Sequence, residues 1–284
     1  MNNQKTKFKF IYIEITKKCN LKCPFCPSKD VSRTDYVSLE SFKEIIEKIK
    51  LHTNMVYLHV LGEPLLHPNF KEIIEICNDN NIQVRITTNG TLLYRYDFST
   101  ININKINISL QALINLNEDE QIKYFEYLKQ FLMQIAHKLN NHQMGVELRL
   151  WNNNDDDKVQ KQNLFIKEKL NEIVVYQSYP NVRIDEETEF EWPSLDRPIN
   201  ETPYYCHGGQ THLAILTNGD VVMCCLDYLG HTKLGNIYQN SLSEIINSEP
   251  YTKVINNRNK PYFALCQKCS YRNRLMSRKR GVKA

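Results

Sequence analysis

Eight of the nine cysteines in this 284-residue chain fall into two groups, Cys19, Cys23 and Cys26, and Cys206, Cys224, Cys225, Cys266 and Cys269. Grouped thiols are soft ligands, and their clustering points to metal rather than to a disulfide framework. Cys77 stands apart among Phe70, Ile73, Ile74 and Ile76 at helical spacing, and reads as a small buried hydrophobe. The first group, Cys19-x3-Cys23-x2-Cys26, offers three ligands with no histidine before His52. Structural zinc closes with four protein ligands. A [4Fe–4S] cluster also needs four, so three cysteines leave one iron open to something else. The second group can supply four, with Cys266-x2-Cys269 as one knuckle, and by residue type alone admits either zinc or iron–sulfur. His52, His59, His67, His207, His212 and His231 show no metal-ligand spacing.

The elements that must position these groups alternate. Strand signals at Phe8–Ile15, Met55–Leu61, Ile82–Thr87, Lys105–Leu110 and Val146–Trp151 are separated by helical patterns at 41–49, Asn69–Asp79, Asp119–Leu139 and Val159–Leu170. Ser41-x-x-Glu44 and Ser241-x-x-Glu244 have capping-box spacing. Strands alternating with helices imply βαβ units: an α/β fold built as a partial (β/α) TIM-like barrel of about five or six parallel strands. No G-x-G-x-x-G follows the first strand and no G-x-x-x-x-G-K-[ST] occurs, so both nucleotide fingerprints are missing. The expected division is a core at 1–175, a connecting segment at 176–203, a cluster-binding module at 204–270 and a basic tail at 271–284. The connecting segment carries the acids of Asp185–Glu191, expected to be solvated, and three prolines within Trp192–Pro203. In the module, Asn218-Gly219 between Thr211–Leu216 and Val221–Cys225 signals a hairpin. The tail, with Arg272, Arg274, Arg278, Lys279, Arg280 and Lys283, reads as a frayed, solvated terminus.

Thirty-six Lys and Arg against 32 Asp and Glu leave a net charge of +4, too balanced for a nucleic-acid footprint. No apolar run approaches the ~20 residues a membrane span requires, and the basic N-terminus lacks a signal-peptide cleavage site. A cytoplasmic protein with no membrane partner is expected.

The run CNLKCPFC (Cys19–Cys26) resembles the C-x3-C-x-aromatic-C signature of the radical S-adenosylmethionine (SAM) superfamily. That resemblance implies a [4Fe–4S] cluster on Cys19, Cys23 and Cys26 whose open iron is chelated by SAM, with Phe25 against the adenine. Gly62-Glu63-Pro64 looks like the family's GGE motif in a G-E-P form, which binds the SAM amino group; Thr88, Asn89 and Gly90 resemble its T-N-G turn. By the same analogy Ser109 and Gln111 would hold the ribose and Arg149 the SAM carboxylate, since a guanidinium forks onto carboxylate. All lie at or near C-terminal strand ends, where parallel barrels carry their chemistry. Cys206-x12-Gly219-x4-Cys224, completed by Cys266 and Cys269, resembles the first half of the SPASM pattern in a truncated, twitch-type form with one auxiliary [4Fe–4S] cluster.

The spacing selects Cys224 as ligand. Alternate residues of a strand point to opposite faces, so Cys225 would face either a small core or the barrel mouth. Asp227, as a base, and Cys225, as a hydrogen-atom donor, are the two candidate catalytic residues; an inert buried thiol is the other fate for Cys225. The resemblance implies reductive cleavage of SAM to a 5′-deoxyadenosyl radical, with an external donor such as flavodoxin or ferredoxin. A closed auxiliary cluster favours oxidation, by dehydrogenation or crosslinking, of a small molecule or of a peptide brought by a separate delivery protein. A leader-binding domain ahead of the first strand is not expected. The alternatives are redox-neutral epimerisation, RNA modification through the basic tail, and a zinc-binding interaction protein.

Overall fold

The computed structural model describes residues 8–279 except 33, 153–155, 176–178, 204 and 258–259. Strand β1 (Phe10–Ile13) leads through the first cysteine loop to α1 (Leu39–Ile49). Then come β2 (Met55–Tyr57), α2 (Phe70–Asp79), β3 (Gln83–Thr88), β4 (Lys105–Ser109), α3 (Glu118–Gln134), α4 (Ala136–Asn140), β5 (Gly145–Leu150), α5 (Asp157–Leu170) and β6 (Val182–Glu186). The second half adds β7 (His212–Ile215), β8 (Asp220–Val222), β9 (Lys233–Asn236), α6 (Leu242–Asn247), α7 (Glu249–Asn256), α8 (Ala264–Gln267) and α9 (Tyr271–Lys279).

The strands form one sheet in the order β6-β5-β4-β3-β2-β1-β7-β8-β9. It is parallel from β6 to β7 and antiparallel only in β7-β8-β9. This is the expected α/β architecture, a largely parallel open sheet in the manner of a partial TIM-like barrel. One face of the strands is apolar: Ile11, Ile13, Val56, Val84, Ile86, Ile106, Ile108, Val146 and Leu148 are all buried, packed with the apolar stripes of α1, α2 and α3. The alternate positions, among them Tyr12, Tyr57, Arg85, Lys105, Glu147 and Arg149, face a cavity instead.

The cysteine-bearing hairpin at Asn218-Gly219 is not detached from the core. β7 pairs in parallel with β1 at every residue of the strand, so the cluster-binding module continues the barrel sheet. Gly219 adopts φ +84°, the left-handed turn conformation that Asn-Gly predicted. β6 lies within the segment expected to connect, pairing in parallel with β5 from Val182 to Glu186. It is an edge strand with little buried apolar surface, and its short alternation, Val182-Arg183-Ile184-Asp185, runs straight into the acids that follow.

Two helix starts differ from expectation. α1 is capped by Ser38, whose Oγ accepts from Ser41 N at 3.1 Å. Ser41 therefore sits inside the first turn, and Glu44 pairs with Lys48. The expected long helix at 119–139 breaks at Ile135 into α3 and α4. The Ser241–Glu244 box forms with both halves in place.

Candidate functional site

A cavity of about 860 Å³ opens on the polar face of the sheet, and both cysteine groups border it: Cys19 and Cys26 from one side, Cys206, Cys224, Cys225 and Cys269 from the other. In the first loop the three sulfurs are close enough to repel one another's thiolates. Burial first, then Cys26 and Cys19, pushes the Cys23 thiol up to about 12. Asn115 Nδ2 donates to Cys23 Sγ at 3.1 Å, and Leu21, Cys23 and Ala112 pack with Leu116 behind the loop. Such a donor set is suited to a group that supplies positive charge to buried thiolates, as iron does.

The residues expected to surround SAM divide. Phe25, Gly62, Ser109, Gln111 and Arg149 line the cavity. Gln111 is buried and its Oε1 has no hydrogen-bond partner among the described residues. Gly62 is obligatory: its φ is +76° and a Cβ there would stand 2.2 Å from the Thr16 carbonyl oxygen. Glu63, Pro64, Thr88 and Asn89 lie behind the wall. The Glu63 carboxylate, expected to meet the SAM ammonium, accepts from Thr88 Oγ1 (2.7 Å), Asn89 N (2.7 Å) and Leu65 N (3.1 Å). It thus braces the β2 and β3 ends against each other, and burial lifts it to about 7. Asn89 Nδ2 donates to Asn20 Oδ1 at 3.0 Å, which ties the same turn to the cysteine loop. Glu14, which the sequence showed only as an interruption of the first strand, performs a parallel task. Its buried carboxylate accepts from Leu61 N and from Thr217 N and Oγ1, joining the G-E-P loop to the β7–β8 turn.

In the second group Cys206 is the hub. The Cys224 thiol is pushed up by burial and then by Cys225, Cys206 and Cys266; Cys266 by burial, Cys206 and Cys269; and Cys269 by burial and Cys206. Among the described residues no three His, Cys, Asp or Glu side chains are drawn together tightly enough to chelate a single ion, so the fit rests on donor type and mutual proximity. Four thiols in reach of one another match the donor set of a closed iron–sulfur cluster.

Cys224 and Cys225 lie in the turn beyond β8, not on the strand as expected, and both border the cavity. Cys225 also packs against a small apolar cluster of Val60, Leu61, Ala214, Leu216 and Val222, beside Tyr12; burial raises its thiol to about 11, with Tyr12 opposing the rise. Asp227 is not brought to the cavity. It is buried, with Oδ1 accepting from Gly230 N and His231 N at 3.0 Å and Oδ2 from Thr232 N and Oγ1 at 2.6 Å. Four donors saturate this carboxylate, which makes it a loop clamp with no lone pair turned to substrate.

The acidic segment and the tail also differ from expectation. Asp185 and Glu189 border the cavity, and Asp185 accepts from Trp151 Nε1 at 3.0 Å. α9 closes one side of the cavity through Tyr271, Arg272 and Leu275. Arg272 and Arg274 are only 2% and 5% exposed. Arg272 donates to the Asn200 carbonyl at 2.8 Å, and Arg274 lies over Trp151 and Phe190 while donating to Thr188. The start of the tail is therefore buried architecture. Arg280 and Lys283 lie outside the described residues, as do the side chains of Arg278 and Lys279. Cys77 is buried in α2, as expected.

A largely parallel sheet with a three-cysteine loop at one cavity wall and a second cysteine group at the other carries the donor sets of an iron–sulfur protein. Residues 13–142 match the family model of the radical SAM superfamily, and residues 206–270 match SPASM, an iron–sulfur cluster-binding domain. The chain belongs to the radical SAM superfamily and carries a SPASM domain. Its cofactors are accordingly a [4Fe–4S] cluster with SAM and an auxiliary iron–sulfur cluster.

Among curated relatives, the chain is 33% identical over 89 residues to the tungsten-containing aldehyde ferredoxin oxidoreductase cofactor-modifying protein of Pyrococcus furiosus, covering 30% of this chain and 25% of that one. It is 36% identical over 107 residues to a probable GTP 3′,8-cyclase of Methanococcus maripaludis, covering 36% of each. The matches thus span a quarter to about a third of these relatives. The fold resembles BtrN in complex with AdoMet and 2-DOIA (TM-score 0.58, 15% identity, 93% of each chain). It also resembles Streptococcus suis SuiB bound to S-adenosylmethionine (TM-score 0.54, 16% identity, 95% of this chain and 73% of that one). No helix among the described residues is long and apolar enough to cross a membrane.

Proposed function

We propose that this protein is a radical SAM oxidoreductase that removes two electrons from a small molecule or peptide bound between its two cysteine groups. The observation that carries it is the single cavity bordered by Cys19 and Cys26 on one wall and Cys206, Cys224 and Cys269 on the other. When bound, the cluster on Cys19, Cys23 and Cys26 with SAM supplies a hydrogen-abstracting radical, and the cluster on Cys206, Cys224, Cys266 and Cys269 supplies an acceptor for the second electron. The chain's own groups orient the reactants. Phe25, Ser109, Gln111 and Arg149 surround SAM, Gly62 lets the backbone approach it, and α9 with Trp192 shields the site from water. A reduced carrier such as flavodoxin or ferredoxin delivers the first electron, and the reaction belongs to the cytoplasm. SuiB has a structure bound to its precursor peptide SuiA, and BtrN one with 2-DOIA; both substrate classes therefore stay within this proposal.

The test compares Cys224→Ala with the wild type under anaerobic reduction. Oxidation predicts that the variant still forms 5′-deoxyadenosine from SAM but yields no oxidised product. Equal product from both proteins would defeat the acceptor role.

A second reading is favoured by one observation, the Tyr12–Cys225 pair at the cavity wall. A thiol there could return a hydrogen atom to a substrate radical, giving epimerisation. Deuterium from D2O in a product of unchanged mass formula, lost in Cys225→Ala, would select it.

A further inference from the structure

We propose that the inner end of the cavity is a subsite for an oxyanion, carboxylate or phosphate, of a small substrate, held by Arg85 together with Lys105 and Arg183; this rests on the radical chemistry proposed for the same cavity. Strand register places Tyr57, Arg85 and Lys105 side by side on β2, β3 and β4, and Glu147 beside Arg183 on β5 and β6. Four strand cations, Arg85, Lys105, Arg149 and Arg183, line the cavity with two strand acids, Glu147 and Asp185; Glu189, beyond β6, borders it as well.

Three of the cations converge on one carboxylate. Lys105 Nζ stands 2.6 Å from Glu147 Oε2 and Arg149 Nε 2.7 Å from Oε1, and Arg183 also pairs with Oε2. Asp185 is turned towards Trp151. Arg85 has no ion-pair partner among the described residues. Its Nη1 donates to the Tyr57 hydroxyl at 2.9 Å, and its Nε is buried with no acceptor. The neighbouring His59 likewise keeps a buried Nδ1 without a partner. Where the Arg85 guanidinium borders the cavity, its remaining N–H groups are donors that an incoming oxyanion would meet. The fork of a guanidinium is shaped for that contact.

The carboxylate of SAM does not account for this set. Arg149 pairs in register with Ser109 at the strand ends, whereas Arg85 pairs with Lys105, four residues earlier on β4. At the usual rise of a strand that is about 13 Å deeper. Lys105, Arg149 and Arg183 already share the Glu147 carboxylate, so Arg85, with no ion-pair partner among the described residues, is the cation left for substrate. Aromatic walls from Tyr12, Tyr57 and Trp151 would cover the rest of it.

The experiment titrates the cluster-loaded, full-length protein with inorganic phosphate and, separately, with succinate at constant ionic strength, read by calorimetry. Wild type, Arg85→Met, Arg85→Lys and Lys105→Met are compared. The expected result is saturable binding of at least one anion, weakened about tenfold or more in Arg85→Met and less in Arg85→Lys. Preference for phosphate assigns a phosphorylated substrate, preference for succinate a carboxylate. Should Arg85→Met fail to fold, Lys105→Met must show the same weakening. Anion binding absent in the wild type, or unchanged in the variants, overturns the subsite. Formation of 5′-deoxyadenosine by the same wild-type preparation separates the two claims: present without anion binding, it removes the subsite alone; absent, it removes the radical chemistry on which the subsite rests.

Discussion

Replacing Asp227 by asparagine separates a chemical from an architectural role for the acid nearest in sequence to the auxiliary ligand Cys224. In the structure Oδ1 holds Gly230 N and His231 N, and Oδ2 holds Thr232 N and Oγ1. An asparagine keeps the first pair through its carbonyl. Its amide group then faces Thr232 N, donor against donor, while the Thr232 hydroxyl can rotate to accept. The loss is one buried charge-assisted hydrogen bond, one unmet backbone N–H and the charge on the rest. At about 1–3 kcal/mol for each of the first two, the cost is about 3 kcal/mol. For a chain of this size that is a fall of roughly 6 °C or more in Tm. The loop from Asp227 to Thr232 should also loosen beside Cys224 and Cys225. The assay is circular-dichroism melting at fixed scan rate, together with iron content and 5′-deoxyadenosine and product formation at low temperature. The expected outcome is a lowered Tm with product formation retained while the fold persists. A variant that melts like the wild type and cleaves SAM but makes no product would refute the clamp and restore Asp227 as a base.

Gly62→Ala forces a Cβ to 2.2 Å from the Thr16 oxygen at φ +76°; a cost of about 2 kcal/mol or more is expected, seen as a lower Tm and poor iron loading of the first site. Glu63 is raised to about 7 in the folded state from about 4.5 when unfolded. Its contribution is thus fully present below pH 4.5 and lost as pH rises to about 7, and Glu63→Gln should flatten the pH dependence of Tm across that window; an unchanged slope would falsify the assignment. Cys224→Ala should lose the auxiliary iron while Cys225→Ala keeps it, as read by iron analysis and electron paramagnetic resonance. Deleting residues 271–284 removes Arg272 and Arg274 from their buried contacts, so the truncated chain should melt lower; full stability after deletion would contradict the packing of α9.

The ligand groups and the order of strands and helices were legible because thiol spacing and period-2 or period-3.6 burial are local properties. The polar lumen was not. Arg85, Lys105 and Glu147 occupy the alternate positions of their strands, and a sequence cannot distinguish a strand face turned to bulk water from one turned to a lined cavity. Glu14 and Glu147 were hidden for a related reason: Glu14 takes its partners from Leu61 and Thr217, and Glu147, besides Arg149 on its own strand, from Lys105 and Arg183, segments distant in the chain. The Arg272 and Arg274 run looked like a solvated tail because a charge run carries no record of the carbonyls and aromatic rings that receive it. Asp227 was misplaced by proximity in sequence to Cys224, although its four donors all follow it within five residues.

The most direct measurement is the metal content of anaerobically purified and reconstituted protein, with iron, sulfide and zinc counted per chain in the wild type and in a Cys19, Cys23 and Cys26 triple-Ala variant. The account predicts about eight irons with matching sulfide, falling by half in the variant. Zinc without iron would contradict it.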